Sequence, residues 1–77
     1  MSTSPESRLV SLLSHWLARH VGDADLRHEL DRIDTGGLGV ESTELLAALR
    51  VELEESRARG DLERLVRETL EALALGL

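Results

Sequence analysis

Three kinds of side chain in this 77-residue chain have the chemistry for a site. They are the imidazoles of His15, His20 and His28, the carboxylates of Asp23, Asp25, Asp31 and Asp34, and the hydroxyl of Ser42 behind a glycine-rich run. A metal pair on a helix needs imidazoles three or four apart; His15 and His20 are five apart, and so are expected to diverge around it. His20 is left to meet Asp23 across a helix end, or to stand there as a favourable cation at the negative pole of the dipole. The aspartates do not make a calcium loop, because Arg27 and His28 stand where an oxygen ligand and a glycine are required. Gly36-Gly37-Leu38-Gly39 lacks the lysine of a P-loop, the third glycine of a dinucleotide fingerprint and a preceding strand, so it reads as a sharp turn into the next helix. Nucleophilic catalysis needs an activated hydroxyl with a base and an orienting acid, and the scattered histidines offer none. The chain is therefore not expected to be an enzyme. Ser42 remains, at the mouth of a leucine-faced helix.

The elements that position these groups are helical. Ser4 is a natural N-cap and Pro5 suits the first helical position, where its missing N–H is harmless. Leu9, Val10, Leu12, Leu13, Trp16, Leu17 and Val21 then recur at helical period, which predicts a first helix over 5–21 with Gly22 as its C′ residue. From Asp23 to Val40 the pattern weakens to Leu26, Leu30 and Ile33, spaced along one helical face. This predicts a long loop with one or two short turns pinned by those three residues, and loops of that length are more often functional than idle. A second strong helix opens around Glu41-Ser42-Thr43-Glu44, with Ser42 as an ordinary N-cap, and carries Leu45, Leu46, Leu49 and Leu53 until Gly60 ends it. Asp61 is expected to cap a last helix bearing Leu62, Leu65, Val66, Thr69, Leu70 and Leu73.

Composition narrows the class. All nine basic residues are arginine, against 15 acidic ones, for a net charge of −6. That sign repels a phosphate backbone, so nucleic acid is not an expected partner. Cysteine is absent, which removes disulfides, thiolate metal sites and cysteine nucleophiles. No apolar stretch approaches the roughly 20 residues that cross a bilayer, and the first residues lack the pattern of a secretory signal, so no membrane role and a cytoplasmic location are expected. Trp16 is the single aromatic. The core must then be aliphatic and helical. The prediction is one all-α domain over 1–77, with residues 1–4 a flexible lead-in. It is a small bundle of three principal helices with a long loop between the first two and a short fourth near 56–61, since amphipathic helices of this length are marginal alone.

Leu38-Gly39-Val40-Glu41-Ser42-Thr43-Glu44-Leu45-Leu46 resembles the attachment motif of acyl and peptidyl carrier proteins, Leu-Gly-hydrophobic-Asp-Ser-Leu at the head of an amphipathic helix. The resemblance extends to length, acidity and the order of a first helix, a long loop and the motif helix. Glu41 stands in place of the family's aspartate, Thr43 in place of the apolar residue after the serine, and the stretch beyond Ser42 is short, so the likeness is to a divergent member.

The resemblance implies a phosphoprotein bearing a covalent 4′-phosphopantetheine arm, taken from coenzyme A, on Ser42. Such a carrier tethers acyl or aminoacyl thioesters in fatty acid, polyketide or nonribosomal peptide biosynthesis. Its implied partners are a phosphopantetheinyl transferase and biosynthetic enzymes with basic docking patches, met through Leu38, Val40, Glu41, Thr43, Glu44 and Glu55. Acidic residues along the second helix, Glu44, Glu52, Glu54 and Glu55, suit a salt-sensitive encounter with such patches. All of this requires the Ser42 hydroxyl to be uncovered at the tip of a helix that begins there. The alternative is a non-catalytic helical interaction module, or a small self-associating subunit, because the leucines, with Leu75 and Leu77 beyond the last stripe, exceed what three short helices bury. As a carrier the chain is expected to be a monomer.

Overall fold

A computed structural model describes residues 4–34, 36–55 and 58–76. Four helices follow one another: α1 (Pro5–Leu17), α2 (Asp23–Arg32), α3 (Val40–Glu54) and α4 (Arg59–Leu75). The all-α bundle is as the periodicity predicts, and its fourth helix lies elsewhere. It is α2, inside the stretch expected to be a loop. The segment near 56–61 forms no separate helix among its described residues, since 59–61 already belong to α4, and Ser56 and Arg57 lie outside the described residues.

α1 starts as expected, with the Ser7 amide donating to Ser4 Oγ at 3.2 Å and Pro5 in the first turn. It ends four residues early. Arg19 takes the left-handed conformation at φ 65°, and the chain turns through His20 to Gly22. Gly22, expected to close α1, is instead the N-cap of α2. Two acids in that helix's first turn, Asp23 and Asp25, favour its start through the dipole, and Leu26 and Leu30 are wholly buried. Two anchors four apart on a ten-residue stretch with no internal glycine or proline, with Ile33 buried just past its end, are enough for a helix once a core receives them.

α4 also departs from expectation. Its N-cap is Ala58, so Asp61 sits in the first turn and Gly60 is helical. A single glycine costs a helix only about 1 kcal/mol, less than the burial of Leu62 two residues later returns.

The packing fixes directions that the sequence left open. Glu41 and Leu45 of α3 meet Glu68, Ala72 and Leu75 of α4, start against end, so this pair is antiparallel. Arg59 at the start of α4 reaches the carbonyl of Trp16 at the end of α1, while Glu6 and Leu73 share one pocket at the other end. α1 is thus antiparallel to α4 and parallel to α3. Leu9, Leu13, Trp16, Leu26, Leu30, Leu49 and Val66 have no exposed surface, and Leu46, Leu53, Leu62 and Leu73 complete the aliphatic core around the single indole.

One junction ties three helices together. Trp16 Nε1–H donates to Asp23 Oδ1 at 2.7 Å, and the Arg59 guanidinium lies 4.2 Å from the ring centroid. Arg59 also donates from Nη2 to the Trp16 carbonyl at 3.0 Å and from Nε to Glu63 Oε1 at 3.0 Å. A buried indole needs a partner for its N–H and an apolar or cationic neighbour for its faces, and α2 and α4 supply them. On the far side, Arg50 Nη2 donates to the Leu30 carbonyl at 2.8 Å and so satisfies the end of α2. Among the described residues, no helix is long and apolar enough to cross a membrane.

Candidate functional site

Ser42 lies in the first turn of α3, three residues after the N-cap Gly39, and is 1% exposed. Two expectations are corrected here. It is not the N-cap, because α3 begins at Val40, and its hydroxyl is not uncovered. The physical reason is helical phase: Ser42, Leu46, Leu49 and Leu53 follow one another at four, three and four residues, so with the helix beginning three residues earlier than an N-cap at Ser42 allows, Ser42 takes helical backbone and falls on the buried stripe. Glu6 of α1 and Leu73 and Gly76 at the end of α4 close around it. With Gly37, Leu38 and Gly39 they line a pocket of about 100 Å³ beside the serine.

Of the residues expected to meet partners, five lie together at the start of α3 and Glu55 lies apart. Leu38 is half-buried against the core, whereas Val40 stands out at 76% exposure. Glu41, Thr43 and Glu44 are exposed, and Thr43 Oγ1 donates to the Gly39 carbonyl at 3.0 Å, which secures the start of α3. Glu55 is the C-cap residue at the opposite end of the helix, about 20 Å away at 1.5 Å per residue. It shares no surface with Glu41.

The histidines form no metal centre: among the described residues no group of three His, Asp or Glu side chains is arranged to hold an ion. His15 and His20 do not diverge as expected. Because α1 ends at Leu17, the His20 amide reaches the His15 carbonyl at 2.9 Å, and the two rings meet edge to face at 6.3 Å. Of the two roles open to His20, the one that pairs it with Asp23 meets a carboxylate whose Oδ1 already accepts the indole N–H of Trp16.

A surface feature anticipated in the sequence only through the surplus Leu75 lies on the outer side of α3 and α4. Leu45, Ala72 and Leu75 floor a groove of about 210 Å³, bordered by Glu41, Glu68 and Glu71. Leu75 is 64% exposed. Among the described residues none of the three glutamates is in an ion pair. The signal was present in part: Leu45 beside Leu46, and Leu75 two residues past Leu73, both fall off the stripes that fill the core. Only the antiparallel pairing of α3 with α4 sets them side by side.

Comparison with protein-family models, with curated proteins and with solved structures finds no match for the chain.

Proposed function

We propose that this chain is a non-catalytic helical interaction module. The observation that supports it is a core completed by Leu, Ile, Val and Trp side chains that still leaves Val40, Val51 and Leu75 at 76%, 50% and 64% exposure. Scattered apolar residues on a surface are ordinary; Leu75, set in a groove bordered by acids that form no ion pair among the described residues, is not. In-cell photo-crosslinking in the native host tests this, with a photoreactive amino acid placed singly at Val10, Val40, Val51 and Leu75 of the full chain. A discrete adduct with one other protein at any of these positions supports the module. Absence of adducts at all four, or adducts only with a second copy, defeats it.

A second reading is favoured by the motif from Leu38 to Leu46 and by the position of Ser42 in the opening turn of α3. In it, the chain is a divergent carrier whose attachment serine is covered in the resting fold. The cover consists of the first turn of α1 and the last turn of α4, and helix ends are where local opening costs least. Intact mass after incubation with coenzyme A and a promiscuous phosphopantetheinyl transferase decides it. A gain of one arm that is lost in Ser42→Ala establishes modification, and an unchanged mass with several transferases rejects it.

A further inference from the structure

We infer that the groove between the start of α3 and the end of α4 takes a basic amphipathic segment of a partner protein, which seats one large apolar side chain on Leu45, Ala72 and Leu75. This rests on the reading of the chain as an interaction module and names the partner's chemistry. The volume of about 210 Å³ is below the range of sites that enclose small-molecule ligands and is suited to a single side chain. The floor is aliphatic, so that side chain is apolar. Glu41, Glu68 and Glu71 surround it without a cation of their own among the described residues, which leaves three negative charges for arginine or lysine flanking the anchor. A second copy of this chain is a poor occupant, because each copy carries a net charge of −6. An apolar anchor with flanking basic residues at helical spacing is the helix-in-groove mode of recognition.

The test uses the full chain and a labelled helical probe peptide of leucine, alanine and arginine with one leucine stripe. Fluorescence anisotropy measures affinity and amide shift mapping locates the contact. Binding is expected to weaken about tenfold or more in Leu75→Asp, whose side chain is too exposed to unfold the domain. The pair Glu68→Gln and Glu71→Gln should weaken it about fivefold, while the pair Asp25→Asn and Asp31→Asn, which removes equal charge from α2, should change it less than about twofold. Shifts are expected at Leu45, Ala72 and Leu75. Equal weakening by both charge pairs would mean attraction to net charge alone and overturns the inference, as does an absence of binding. In cells, crosslinks to a partner from Val51 but none from Leu75 would defeat the groove and leave the interaction module standing.

Discussion

Replacing Asp23 by alanine removes the only described acceptor of the Trp16 N–H, on a side chain with no exposed surface. A buried donor left without a partner costs about 1–3 kcal/mol. The same substitution deletes an acidic residue from the first turn of α2, worth about 0.3–1 kcal/mol. The expected loss is about 2 kcal/mol, which in a domain of this size lowers Tm by about 8–16 °C. Asp23→Asn keeps an acceptor oxygen and should cost less than about 1 kcal/mol. A double-mutant cycle isolates the hydrogen bond. Trp16→Phe keeps a ring beneath Arg59 but has no N–H, so in that background Asp23→Ala should cost only the dipole part, about 0.5 kcal/mol. Far-UV circular dichroism in urea is the assay, because the Phe variants lose the chain's single indole fluorophore. A coupling energy below about 0.5 kcal/mol, or an Asn variant as unstable as the Ala variant, would refute the reading of this junction as a hydrogen-bonded lock.

Three further outcomes follow from the packing. Gly60→Ala should raise stability by about 0.5 kcal/mol, since Gly60 is helical with open space where a Cβ would stand, whereas Gly76→Ala should lower it by about 1 kcal/mol because Gly76 caps α4 at φ 74°; thermal denaturation of the two variants checks both signs. Ser42→Leu should cost about 1–3 kcal/mol by overfilling the turn under Leu73, and Ser42→Ala clearly less, so urea midpoints that rank the two in reverse would contradict the burial of that hydroxyl. Arg50→Met should lose no more than about 1 kcal/mol. An apolar stem of similar length is kept, and the buried Nε, which has no hydrogen-bond partner among the described residues, is removed along with the bond to Leu30; a loss above about 2 kcal/mol in urea would show that bond to be worth more than a neutral replacement.

α1 and the stripes of α3 and α4 were legible because their signals are local. Ser4 and Pro5 mark a start by chain geometry alone, and leucines spaced three and four apart commit a helix to bury one face. α2 was misread as a loop because ten polar-rich residues with two anchors have too little intrinsic preference to declare a helix; their helicity comes from Leu26 and Leu30 entering a core built by other segments. The end of α1 was misplaced because Val21 fits the period while Arg19 breaks it through a left-handed backbone that the residue type does not announce.

The candidate site divides along the same line. Residue order by itself determined that the domain is acidic, helical and aliphatic at its centre, and that Ser42 stands in the opening turn of a leucine-faced helix. Whether that hydroxyl faces water or the interior was decided by where the helix begins, since a serine inside the helix is held in phase with Leu46 and Leu49, whereas an N-cap serine has extended backbone and turns its oxygen to the first amides of the helix. The groove was decided by tertiary structure alone. Leu45 and Leu75 are thirty positions apart, and only the antiparallel fit of α3 to α4 turns two leftover leucines and three glutamates into one surface.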